Sequence, residues 1–395
     1  MGDRWATRRA EVRQDLLPGA RLAEATALMA MMCDLGTGQP LTTNLRICLA
    51  ALRIADHIDD DSLDRRAVYD YSLVRLLGCT VETSRFAAAM GDEIELSRAM
   101  TPVAGGTPRE MMPVILRSVG AGAPPWRRAR LIAGAMAFGA GMRTLMAGHC
   151  EVSQMLTVDL GLGAEVTRAL DFTYERWDGK GSPAGARGDD IPLVTRVMHA
   201  AFVAVVQSAV GGRDAVLATA RSRAGGQLDP AVAEVLATHV DDVMGATEVQ
   251  SPWNAVLDAE PAPRRPLSPD QADATAAAIA CFADLKADHL AGHSMGVTNL
   301  AVAAGRARGL DDADLADLRR AALIHDLGRV GVTTVIWDWD GPLSDDDWEE
   351  VRLHPYHTEI VAGRVPWLAS AARIAALHHE RSTAPAITAG RMRMR

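Results

Sequence analysis

With 395 residues, 48% of them apolar and 23% charged, the chain has room for two or three globular domains and lacks the composition of a disordered polymer. A net charge of −9 argues against a general nucleic-acid-binding surface, although Arg391, Arg393 and Arg395 make the last residues basic. The five cysteines, Cys33, Cys48, Cys79, Cys150 and Cys281, show no CxxC spacing and speak against a disulfide framework and for a reducing, cytoplasmic setting.

No signal peptide is expected, because Met1 to Gln14 is charged throughout, and none of the apolar stretches, of which Arg130 to Met146 is among the longest, reaches a membrane span. Apolar residues recur at three- and four-residue spacing in Leu22 to Cys33, Leu45 to Ile58, Tyr69 to Leu77, Met111 to Val119 and Ala272 to His289, while no strand-like alternation persists. The expected fold class is therefore all-α. Around the fourth of these helices the stretch Thr101 to Pro125 is rich in Pro and Gly and reads as loop covering one face of the first domain. Asp258 to Pro266, DAEPAPRRP, carries three prolines and reads as a linker. Beyond it Ser268, Pro269 and Gln271 form a capping box with proline at the first helical position, and Ser344 with Asp347 forms a second. The expected organisation is an N-terminal extension (1–21), a first lobe (22–255), a Pro-rich linker (256–267) and a second lobe (268–395).

The two lobes read as a tandem repeat. A shift of 250 superposes LVRLLG, Leu73 to Gly78, on LIHDLG, Leu323 to Gly328. A shift of 205 superposes His149 to Arg176 on His354 to Arg381, matching Arg168 with Arg373 and Glu175 with Glu380.

Chemistry concentrates between His293 and Glu380. A lone histidine on an apolar helix is ordinarily a satisfied core residue. Here six potential ligands recur at ordered spacing: His293, the adjacent His325 and Asp326, His354, and the doublet His378 and His379. An imidazole beside a carboxylate can hold one divalent ion while the carboxylate bridges to a second, and two such ions polarise a phosphoryl oxygen and generate hydroxide at neutral pH.

The run AALIHDLGRVGV resembles the signature of the HD superfamily of metal-dependent phosphohydrolases, and RLHPYHTEIV with ALHHER is similar to its HD-GYP branch. The resemblance implies that His293, His325 and Asp326 hold one metal and His354, His378 and His379 another. It implies a phosphoester or cyclic dinucleotide, such as cyclic di-GMP, as substrate, with Asp326 and Arg329 as catalytic residues. Arg329 stands where the family usually has a lysine near the substrate phosphate, which keeps the charge and changes its geometry.

The first lobe lacks this set. Arg75 and Leu76 occupy the His–Asp positions, Thr43 falls opposite His293, Thr173 and Tyr174 replace the doublet, and only His149 remains, opposite His354. The segment from Tyr174 to Phe202 still resembles the HD-GYP loop and its IP-x-x-x-R helix, with Ser182 at the tyrosine of GYP and Phe202 about where a last aspartate ligand would be. The first lobe is therefore expected to be a degenerate scaffold. The second keeps its ligands but ends sixteen residues after His379, before any such loop, so it is expected to be truncated and impaired. Permissible codons for Arg381 to Gly390 read two bases along spell V-D-G-S-G-Y-H-R-G, which suggests a frame-shifted tail. The whole arrangement resembles actinobacterial two-lobed HD proteins that often carry a LuxR-type helix-turn-helix, a segment not found here. The alternative to an enzyme is thus a non-catalytic regulatory module. No membrane or DNA partner is expected, and a homo-oligomer is compatible with the sequence.

Overall fold

The computed structural model describes residues 19–80, 83–137 and 139–380, and among the described residues the chain is all-α, with helices joined by 3-10 turns and only isolated bridges at Arg21 with Pro266 and Ala224 with Leu228. The tail from Arg381, with its frame-shift reading, lies outside the described residues. The five periodic stretches fold as helices Leu22–Gly36, Thr43–Ala55, Arg65–Val74, Pro108–Ser118 and Pro269–Asp284. The Ser268 box is closed from both sides, since Ser268 N donates to Gln271 Oε1 at 2.9 Å and Gln271 N donates to Ser268 Oγ at 3.2 Å.

Helix Leu22–Gly36 is apolar almost all round, so it can only sit inside. It packs on Thr43–Ala55 and Arg65–Val74, and also on the 3-10 turn Leu327–Gly331 and helix His354–Ala362 far along the chain. A single apolar cluster consequently runs from Leu28, Ile47 and Tyr69 through Val197 to Phe282, Ile324 and Leu368.

Two expectations need correction. The stretch Thr101 to Pro125 is largely helical: a 3-10 turn, Thr101–Val103, precedes helix Pro108–Ser118, which starts on a proline and is capped by Glu110 Oε2 accepting from Thr107 N at 2.6 Å. Proline at the first helical position needs no donor, which is why a loop-like composition builds a helix. Among the described residues one helix, Leu193–Arg223, is long and apolar enough to cross a membrane by length and composition, but 67% of its apolar window is buried inside the protein and it breaks at Gly211 and Gly212. The Pro-rich segment is held to the first half by specific contacts. Arg265 Nη1 donates to the buried Asp70 at 2.9 Å, Arg66 Nη2 donates to Pro263 O at 2.7 Å, and Leu22 N donates to Arg265 O at 3.0 Å. Long-range ion pairing of this kind leaves no local mark in sequence.

Matching hydrogen bonds recur at residues 250 or 205 positions apart. Asp34 Oδ1 accepts from Asn44 Nδ2 at 2.6 Å, and Asp284 Oδ1 accepts from Ser294 Oγ at 2.6 Å. Both helices that follow start from a left-handed residue, Thr42 at φ 81 and Gly292 at φ 76. Gly78 N donates to Ser153 Oγ at 2.8 Å and Gly328 N to Thr358 Oγ1 at 2.9 Å. In each case a Cβ on the glycine would lie 1.9 Å from a carbonyl oxygen, that of His149 or His354. Only glycine permits so close an approach.

His199, on helix Leu193–Arg223, is buried and its Nε2 lies 3.1 Å from Thr173 O. Burial pushes its pKa down to about 4; the Thr173 bond opposes this, and the charges of Arg75 and Arg176 add to it. The unfolded chain takes up a proton near pH 6.5 that the folded chain refuses until about pH 4. Stability from this site is therefore full above pH 6.5 and is lost as pH falls toward 4, by up to about 3 kcal/mol. Urea unfolding at pH 7.5 and pH 5 should show that loss in the wild type and a smaller one in His199→Gln.

Candidate metal centre

Each ligand candidate is delivered by the end of a helix. His293 opens helix His293–Ala307, His325 and Asp326 close helix Asp312–Ile324, His354 opens helix His354–Ala362, and His378 and His379 follow helix Ala369–Ala375. The ends meet because Gly328 lets the turn after Asp326 press against the backbone at His354.

Asp326 is the hub. Its Oδ2 lies 3.0 Å from His325 Nε2 and 3.3 Å from His293 Nε2, and its Oδ1 lies 3.4 Å from His354 Nε2 and 3.6 Å from His378 Nε2. One oxygen thus faces each group of imidazoles. Arg329 Nε adds a contact at 3.0 Å to Oδ2. Burial by itself would raise the pKa of this carboxyl, but the imidazoles of His325 and His354 beside it and the charges of His325 and Arg329 outweigh it and hold the pKa far below the usual carboxylate range.

Among the described residues two groups could hold a metal ion, His293 with His325 and Asp326, and His354 with His378 and His379. In the second, His354 Nε2 lies 3.2 Å from both His378 Nε2 and His379 Nε2. Imidazole ligands at about 2.0–2.1 Å from one ion stand roughly 3 Å apart, so the spacing suits a shared cation. The Nδ1 atoms are already engaged: that of His325 bonds to Ala322 O at 2.8 Å and that of His378 to Ala375 O at 2.7 Å, while that of His354 bonds to Val351 O. A proton fixed on Nδ1 leaves the Nε2 lone pair for a metal. Burial foremost pushes the pKa of His378 down to about 4, keeping it in the neutral form that ligates. Both Asp326 oxygens are buried and neither accepts a hydrogen bond of good geometry, the orphaned state that a bridging cation would relieve. The donor set fits divalent metal.

The sequence profile of the HD domain family matches residues 103–232 and 278–383. The chain belongs to the HD domain family. A curated relative, the 3'3'-cGAMP-specific phosphodiesterase 3 of Vibrio cholerae serotype O1, is 25% identical over 387 residues, covering 94% of this chain and 81% of its own. A crystal structure of a cyclic GMP-AMP specific phosphodiesterase of V. cholerae, V-cGAP3, superposes with a TM-score of 0.65 at 23% identity over 91% of this chain and 83% of its own, a likeness of fold. The comparisons lend no support to impaired chemistry or to a regulator of the LuxR type.

The HD chain has a second histidine neighbourhood with different contents. In the first half, Arg75, 250 residues before His325, is buried, donates from Nη2 to Asn44 Oδ1 at 3.1 Å and lies with its Cζ 5.4 Å over the Phe202 ring. Thr173 Oγ1 bonds to Tyr71 Oη at 3.2 Å, and Tyr174 Oη bonds to His149 Nδ1 at 3.4 Å. A fixed guanidinium and hydroxyl network fills this interior.

One wall of the metal centre was not foreseen. Trp337 lies with its ring 5.0 Å from the Arg329 guanidinium and 6.2 Å from the His354 ring, and its Nε1 donates to Arg329 O at 3.4 Å. Its signal in the sequence is the WDWD run after the HD motif, which periodicity alone does not interpret.

Proposed function

We propose that this chain is a metal-dependent phosphodiesterase that hydrolyses a cyclic dinucleotide, with His293, His325 and Asp326 holding one divalent ion and His354, His378 and His379, together with Asp326, a second. The observation that carries the reading is the Asp326 carboxylate, which turns one oxygen to each imidazole group. Ions so held supply Lewis-acid polarisation of a phosphoryl oxygen and an activated water. The protein's own share is orientation and charge. Asp326 fixes the two ligand groups relative to one another. Arg329, braced by Asp326 on one side and the Trp337 ring on the other, is placed to donate from its Nη groups to a phosphate oxygen. The cGAMP specificity of the V. cholerae relative and the likeness over most of both chains favour a cyclic dinucleotide over other phosphoesters.

We read residues 22–255 and 268–395 as two HD-like lobes, the first without metal chemistry. Support comes from the paired hydrogen bonds at Asp34 and Asp284 and at Gly78 and Gly328, and from the guanidinium of Arg75 in the first. We place the protein in the cytoplasm, on cysteine usage and on the substrate class.

Manganese- or iron-loaded protein should convert 3'3'-cGAMP or a related cyclic dinucleotide to its linear form, stop on chelation and resume on metal addition. Arg329→Ala should lower kcat/KM by about 10²-fold, as loss of one preorganised charge does, and Arg329→Lys by less. Failure of metal-replete protein to open any cyclic dinucleotide would refute the reading.

A further inference from the structure

Between Gly78 and His149 the chain has 45 more residues than between Gly328 and His354. The extra chain folds as helices Thr83–Met90, Glu93–Met100, Pro108–Ser118 and Pro125–Ala137 around a small core of Met90, Leu96 and Val119. From this insertion one carboxylate reaches into the other half. Glu93 is buried, and its Oε1 accepts from Lys286 Nζ at 2.8 Å, from Thr334 N at 2.8 Å and from Thr334 Oγ1 at 2.9 Å, while Oε2 accepts from Thr333 Oγ1 at 2.8 Å. Thr334 Oγ1 is also 2.9 Å from Thr83 Oγ1, and Thr83 donates to Lys286 O at 3.0 Å. Lys286 is fully buried too.

The residues so gripped are not arbitrary. Thr333 caps helix Thr334–Trp337, a single turn whose last residue is the tryptophan beneath Arg329. A continuous path of contacts therefore runs from the insertion through Thr333 and Thr334 to Trp337 and then to Arg329, which touches Asp326. Joining the two halves does not call for this. Burying a carboxylate and an ammonium is costly, and an apolar pair of similar volume holds two surfaces together at least as well. What the carboxylate adds is direction, since it fixes four donor atoms on three residues at once.

We propose that Glu93 is a positioning residue for Arg329: by orienting the turn at Thr333 and Thr334 it sets the Trp337 ring, and with it the guanidinium, at the metal centre. The inference builds on the phosphodiesterase reading. It gives the insertion in the first half a part in the chemistry of the second.

Three proteins test it against the wild type: Glu93→Leu with Lys286→Met, which keeps the volume and removes the directed bonds; Glu93→Gln with Lys286→Met, which restores one acceptor oxygen; and Leu236→Ala, which opens the core of the first half elsewhere. Metal content, kcat/KM on a cyclic dinucleotide, and amide exchange of the peptide 329–338 are compared. The Leu/Met protein should keep its metal, lose about tenfold or more in kcat/KM as a slightly misplaced group does, and exchange faster across 329–338. The Gln/Met protein should recover at least part of both losses, and Leu236→Ala should change neither. Wild-type exchange across 329–338 in the Leu/Met protein, or the same changes in Leu236→Ala, would overturn the proposal. A wild type that hydrolyses nothing would instead refute the phosphodiesterase reading, and the exchange measurement would still decide the role of Glu93.

Discussion

Replacing Asp326 with alanine is expected to empty both metal positions together and to lower turnover on the order of 10³-fold or more, the scale on which loss of a preorganised electrostatic group is felt. The reason lies in its two oxygens. Oδ2 stands among His293, His325 and Arg329, and Oδ1 faces His354 and His378, so the carboxylate is placed to serve both groups. Removing it also brings uncompensated imidazoles into one buried space. His354→Ala, by contrast, takes one nitrogen from one group and should weaken one ion more than the other. Metal analysis of the two variants side by side checks the difference, and equal loss of both ions in both would show that the carboxylate is not the shared ligand.

The second large effect is expected at a residue with no functional group. Gly328→Ala places a methyl 1.9 Å from the carbonyl oxygen of His354. Backbone cannot yield as a flexible side chain does, so helix His354–Ala362 must move away from the turn that carries Asp326. The strain should cost about 3 kcal/mol, and the displacement of His354 should lower activity about 10²-fold even in the molecules that stay folded. Gly78→Ala makes the same contact with the His149 carbonyl in the first half. It should lose a similar amount of stability yet keep its metal and, once folded, its activity. If both variants kept their metal and activity, the close approach at Gly328 would have no part in assembling the centre.

The residues that this pair compares were readable in advance to an unequal degree. Five of the six candidate ligands stand out in sequence because they sit at helix ends within an HD dipeptide, an HP or an HH, and His293, followed by serine, stands out only by its spacing from them. The helices themselves followed from three- and four-residue periodicity, and Ser268 and Ser344 marked their starts. Composition misled where proline serves at a first helical position, as at Pro108, and where a long apolar helix is interrupted by two glycines, as at Gly211 and Gly212. The strap from Arg265 to Asp70 and the grip of Glu93 on Thr333 and Thr334 join residues some two hundred positions apart. No periodicity reports such contacts. One trace was visible: Lys286 is one of only two lysines in a chain with 39 arginines, and an ammonium chosen over a guanidinium marks a place where a compact charge is wanted.

The most direct measurement of the central claim is metal per chain in purified protein, taken with the turnover of a cyclic dinucleotide, for the wild type and for Asp326→Ala. Two ions and turnover in the wild type, both lost in the variant, are predicted by a carboxylate that joins two imidazole groups. A wild type with one ion or none that still hydrolyses the substrate, or a variant that keeps both ions, would contradict it.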